Sequence, residues 1–194
     1  ALGRFKHEGA AVTLAKNGRV VVYMGDDQRG EYVYRYVSKH AYQANRPELN
    51  QSLLDEGTLY VGQFAEGGKG RWIPLVHGQG GLTPANGFPD QAYILIEARL
   101  AADHVGATPL DRPEWVAVHP TAGDVYLSLT NNSQRGKEFP LNAVNPRANN
   151  AMGHIVRWKP NQLDAASDPI QRRYSAHATI QQQDQPVGID AQRI

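Results

Sequence analysis

The sequence contains no cysteine. A disulfide framework and any thiolate metal site within this chain are thereby excluded, and the redox compartment is left open. No run of apolar residues approaches the length a helix needs to cross a bilayer. Neither sign of charge dominates, with 20 Lys and Arg against 19 Asp and Glu. A surface balanced in this way has no field to gather nucleic acid or an anionic membrane, so neither is expected as a partner. There is no phosphate-cradling P-loop, because Gly78-Gln79-Gly80-Gly81 lacks the Lys-Ser/Thr that must follow. A Gly-x-Ser-x-Gly nucleophile elbow is missing too. The 7 His are scattered without His-x-His or His-Glu-x-x-His spacing, which leaves a histidine-built zinc site unsupported. The opening residues Ala1 to Glu8 hold neither an initiator Met nor a signal peptide, and the chain is expected to begin inside a larger protein.

What is present points to strands and turns. A chain of 194 residues is long enough for one packed core. Its 19 Gly, 12 Pro and 9 Tyr suit a pleated, turn-rich architecture better than a helical bundle. Val20 to Met24, opened by Asn17-Gly18, reads as a buried strand. After the polar turn Gly25 to Gly30, Tyr32, Tyr34 and Tyr36 alternate with Val33, Arg35 and Val37 at period two, which completes a hairpin. The pattern returns at Gly57 to Phe64 with Arg71 to Val76, at Pro113 to Val118 with Val125 to Thr130, and at Gly153 to Trp158. Asp90 to His104 breaks it: Tyr93, Ile96, Leu100 and His104 fall three or four apart, as on one helix that Pro89-Asp90 opens and Gly106 ends. From Lys159 onward the chain has 7 Gln in 36 residues, few aromatics and no clear strand, and is expected to be poorly ordered. The fold class expected is all-β, a partial β-propeller of several blades with a short helical insertion. On periodicity alone, a sandwich remains open.

Residues at strand ends and tight turns can be held rigidly enough for chemistry. Glu8 precedes the apolar run Ala10-Ala11-Val12 and is either a ligand for a hard cation or a solvated carboxylate. Asp26-Asp27, in a Gly-flanked turn, could bind calcium or only cap their own loop. Asp111-Arg112-Pro113-Glu114-Trp115 is the most unusual cluster. Pro113 pushes Arg112 toward an extended conformation, and Arg112 and Glu114, two apart, would share one side of a strand. An Arg beside a metal-bound carboxylate can clamp phosphate through two parallel hydrogen bonds; the plainer reading is a surface ion pair. Asn131 and Asn132 close a strand as substrate contacts or as ordinary turn residues.

Six stretches, in order, resemble the PhoX-type alkaline phosphatases. They are Gly3 to Glu8; Tyr23 to Asp27 with Tyr32-Val33-Tyr34; Arg99 to Asp103; Gly106 to Trp115; Leu129 to Ser133; and Asn145 to Arg147 through Gly153 to Trp158. The resemblance covers about residues 1–158. It implies a six-bladed propeller with insertions, export by the twin-arginine route to a periplasmic or secreted location, and hydrolysis of phosphomonoesters at a site of iron and calcium ions (Fe3+ and Ca2+). Residue by residue, it makes Glu8 and Glu114 metal-binding carboxylates and Arg112 a phosphate ligand; Asp26, Asp27, Asn131 and Asn132 match without an assigned role. The family's upstream segment, with a metal-binding Cys and a Cys-Glu-Glu stretch, has no counterpart here, nor has a downstream Asp-containing segment. The chain is thus expected to need the missing blades of its parent, and to be inactive alone. A non-enzymatic propeller-type module, with Arg112 as an anion contact, is the competing reading.

Overall fold

The structure, a computed structural model, describes residues 1–160, 165–166, 169–170 and 175–177. Two antiparallel sheets dominate it. The first has six strands in the order β1 (His7–Leu14), β2 (Arg19–Asp26), β3 (Val33–Ala41), β4 (Gly57–Ala65), β5 (Lys69–Pro74) and β9 (Pro169–Ile170). The second has four, in the order β10 (Ser175–His177), β8 (His154–Trp158), β7 (Val125–Leu129) and β6 (Pro113–Val118).

The strands expected from apolar runs and turns are present, and three features differ. β1 is not among the expected strands: its apolar run Ala10-Ala11-Val12 is short and rich in alanine, a weak strand former, and as an edge strand it leaves Val12 and Leu14 exposed. The helix expected over Asp90 to His104 is two short helices, α1 (Gln91–Ile96) and α2 (Ala98–His104), separated at Glu97 with φ −102° and ψ 47°. Asp90 opens α1 as expected, its side chain accepting from the Tyr93 N–H at 2.8 Å. The residues after Trp158 contribute two short strands, β9 on β5 and β10 on β8, where the sequence shows no clear strand. Disorder of the rest of the tail falls outside the described residues.

The period-two pattern of β2 sorts its side chains between two cores. Val21 and Tyr23 join Phe64 and Trp72 and meet Val116, Leu127, Val156 and Trp158 of the second sheet. Val22 and Met24 face the other way, with Tyr34, Tyr36 and Val61, onto Ile94, Ala98, Ala101 and Ala102 of the helices. β2 and most of β3 are therefore buried on both faces, which is why they read as continuous apolar runs. Tyr23, Trp72 and Trp158 pack with ring centroids 5.7–6.0 Å apart and lock the sheets face to face.

Candidate functional site

The first end of β1, the last end of β2 and the first end of β6 meet at one place, because β1 and β2 both pack against β6. Glu8 lies opposite Gly25 in the β1–β2 register. Gly25 in turn lies so close to β6 that a Cβ on it would come within 2.8 Å of the Pro113 carbonyl oxygen and still closer to that of Glu114. Only glycine permits that approach. The β1–β2 pairing shifts register between Glu8 and Ala11, and the β6–β7 pairing between Pro113 and Val116. Bulges of this kind bend a strand and re-aim its side chains. Both carboxylates assigned to metal by resemblance thus sit at irregular strand ends, side by side in the backbone.

Arg112 occupies the left-handed region, with φ 58°. Pro113 on its own argues for an extended Arg112; the fold overrides that preference. Its Nε lies 2.8 Å from Asp27 Oδ1, an ion contact, and its Nη2 donates to Asp27 Oδ2 at 3.3 Å. Nη1 lies 3.6 Å from Glu114 Oε1. Thr130 ties the group together: its hydroxyl donates to Glu114 Oε1 at 2.7 Å and its N–H to the Arg112 carbonyl at 3.2 Å. The Arg112 side chain is 38% exposed, so it is open to contact with a ligand. Arg112, Glu114 and Asp27 are brought together as one cluster.

Asp26 points elsewhere. Fully buried, it accepts from Arg99 Nε at 2.7 Å and Nη2 at 2.5 Å, and from the Lys6 N–H at 3.2 Å. Both its oxygens serve that pair. Beside it, burial pushes the Glu31 carboxyl from the ordinary 4.5 up to about 7, with Asp26 and Asp103 adding to the rise and Arg99 and Lys6 opposing it. Asn131 accepts from Arg29 Nε and Nη2 at 3.1 and 2.7 Å. Asn132 is buried, its Oδ1 accepting from the Gln134 N–H at 3.0 Å as in an ordinary turn.

A buried polar network under Arg112 escapes sequence reasoning. Arg135 Nε donates to Asp111 Oδ1 at 2.6 Å, with both side chains sealed from solvent. Asn150 donates to Asp111 Oδ2 at 2.9 Å and contacts His154 Nδ1 at 2.9 Å. His154 Nε2 lies 2.7 Å from the Val144 carbonyl, which makes Nε2 the protonated nitrogen and Nδ1 the acceptor. Burial lowers the pKa of His154, in keeping with that neutral ring. No signal in the sequence joins Asp111 to Arg135, since their types are common and their spacing matches no motif.

Among the described residues, no group of three or more His, Cys, Asp or Glu is arranged to hold a metal ion. With Asp26 engaged by Arg99, the oxygen donors left at the strand ends are Glu8, Glu114 and Asp27, two of them already facing Arg112. These residues do not by themselves make a multi-ion centre.

The family model described as alkaline phosphatase PhoX matches residues 1–192. The chain belongs to the PhoX alkaline phosphatase family. The match runs past Trp158, where the resemblance in the sequence stops, so the family extends into the tail. Among solved structures, the chain is similar to Pseudomonas fluorescens PhoX in complex with vanadate, a transition state analogue, with 48% identity and a TM-score of 0.84. The likeness covers 87% of this chain and 30% of that PhoX chain. No curated protein matches. Among the described residues of this PhoX family member, no helix is long and apolar enough to cross a membrane.

Proposed function

We propose that this chain forms part of a metal-dependent phosphomonoesterase, in which Arg112 binds the phosphate and Glu8 and Glu114 lend carboxylates to a site of iron and calcium ions. The observation that carries the reading is Arg112 itself. Asp27 engages its Nε and Nη2, Nη1 lies near Glu114 Oε1, and the side chain stays partly open to solvent. A planar guanidinium matches two phosphate oxygens in one plane. Vanadate, bound in the related PhoX, imitates phosphate at the point of transfer, which supports a phosphate ester as substrate.

Each residue of the chain has a defined part. Asp27 orients the guanidinium, Thr130 holds Glu114, and Arg112 would offset charge on the equatorial oxygens as the ester bond breaks. The metal ions would supply Lewis-acid chemistry when bound. Because the described residues do not complete a centre, we place the remaining donors in other parts of the parent protein, and the isolated chain is expected to have negligible phosphomonoesterase activity. In that parent, we place the two sheets as blades of a propeller with α1 and α2 as an insertion, and the protein in the periplasm. Asn131 is proposed as a lesser substrate contact beside its partner Arg29; Asn132, sealed from solvent and held in its own turn, has no side chain to offer a substrate.

The test uses a full-length PhoX chain carrying this sequence. Arg112→Lys keeps the charge and loses the planar fork, so vanadate inhibition should weaken about tenfold with bound metal unchanged. Glu114→Ala should lose metal together with activity. Unaltered vanadate affinity in Arg112→Lys would reduce Arg112 to a structural partner of Asp27.

A further inference from the structure

The network under Arg112 has no direct part in the reaction just proposed, yet it grips the residue before Arg112 from every side. The Asp111 N–H donates to Asn145 Oδ1 at 3.0 Å, and its carboxylate accepts from Arg135 and Asn150. Arg135 is spent entirely on this task. Its Nε goes to Asp111, its Nη1 to the Pro140 carbonyl at 2.7 Å, and its Nη2 to the Pro109 carbonyl at 3.2 Å. Asn145 and Asn142 also donate to the Pro109 carbonyl, each at 3.1 Å. Pro109 and Asp111 are thereby pinned to the same guanidinium, and Pro113 restricts the chain on the other side of Arg112.

A left-handed backbone is unfavourable for a residue with a Cβ, and persists only where its surroundings hold it. Among the described residues, Arg112 and Asn149 are the non-glycine residues with positive φ, and both border this network. Were Asp111 released, Arg112 could relax to negative φ, and its side chain would swing away from Asp27 and Glu114. We propose that Arg135, acting through Asp111, is a positioning residue that holds Arg112 in its phosphate-binding conformation. This rests on the reading of Arg112 as a phosphate ligand.

A double-mutant cycle in the full-length PhoX chain carrying this sequence tests it, with the vanadate inhibition constant and bound metal as readouts. Arg135→Lys keeps the buried charge but cannot reach Asp111, Pro109 and Pro140 together. It should weaken vanadate inhibition about tenfold with metal content unchanged. On an Arg112→Lys background the same change should add less than about twofold, because contacts that act through one another are not additive. Equal weakening in both backgrounds, or none in the single variant, overturns the positioning role alone. If Arg112→Lys itself leaves vanadate binding intact, the phosphate-ligand reading fails first and takes this inference with it. Should Arg135→Lys not accumulate as folded protein, Asn150→Ala removes only the donor to Asp111 Oδ2. Run with that variant, the cycle should show the same non-additivity, and additive effects overturn the positioning role.

Discussion

Two arginines, Arg35 and Arg135, are both withdrawn from water, and different surroundings hold them. Arg35 lies between the sheets, its guanidinium 4.5 Å from the Tyr60 ring centroid and 5.0 Å from that of Trp72, with Nη1 donating to the Ala165 carbonyl at 3.1 Å. Aromatic ring faces are part of its setting. Arg135 faces a full carboxylate in a nest of amides. The aromatic region owes much of its hold to ring packing, which loosens gradually. The polar region cannot lose one member without stranding another. It is also the region that abuts the candidate site.

The sharpest way to break this comparison is to remove Asp111. Asp111→Ala leaves the Arg135 guanidinium buried without its counter-charge and should cost about 3–5 kcal/mol, read from the urea midpoint of the folded protein. A loss below that of an ordinary surface substitution would mean that the network is wet or slack. Tyr60→Leu is the counterpart in the aromatic region. It removes the ring face 4.5 Å from the Arg35 guanidinium and keeps an apolar side chain against the core, so the cost should be about 1–2 kcal/mol. If Tyr60→Leu proved as damaging as Asp111→Ala, the two regions would not differ in kind.

A third effect concerns pH. The Glu31 carboxyl is raised to about 7 from 4.5, chiefly by burial; Asp26 and Asp103 raise it further, while Arg99 and Lys6 lower it. A carboxyl whose folded pKa is raised binds its proton more tightly in the native state. Its contribution to stability is complete below 4.5 and is lost as pH rises through about 7. Glu31→Gln, which imitates the protonated form, should match the parent near the acid end of that window and unfold at higher urea than the parent above it. His154, whose folded pKa is lowered, has the opposite slope and is common to both proteins, so it cancels in the difference. Parallel stability curves for parent and variant would show that Glu31 is already ionised and well solvated.

Much of the architecture is legible in the sequence because it rests on local chemistry. Strands buried on both faces announce themselves as apolar runs, and Asn17-Gly18 marks a turn whatever lies around it. Edge strand β1 does not, because its apolar stretch is short and rich in alanine, a weak strand former. The break at Glu97 is likewise hidden: periodicity continues across it, and the packing of Ala98, Ala101 and Ala102 under α2 decides where the second helix sits.

Residue type and short spacing settle the main elements, the family, and the presence of an Arg112–Glu114 pair flanked by proline, because those signals survive in one dimension. What each charged group does is settled only when the chain is folded. Asp26 and Asp27 are neighbours in the chain, yet one is buried under Arg99 and the other reaches Arg112. Asp111 finds Arg135 across 24 positions because the chain after β7 folds back against the segment that leads into β6. Arg112 takes a backbone conformation that its own proline argues against. Long-range electrostatics and close packing are properties of three-dimensional neighbours, and a buried charge goes to whichever partner the fold brings within reach.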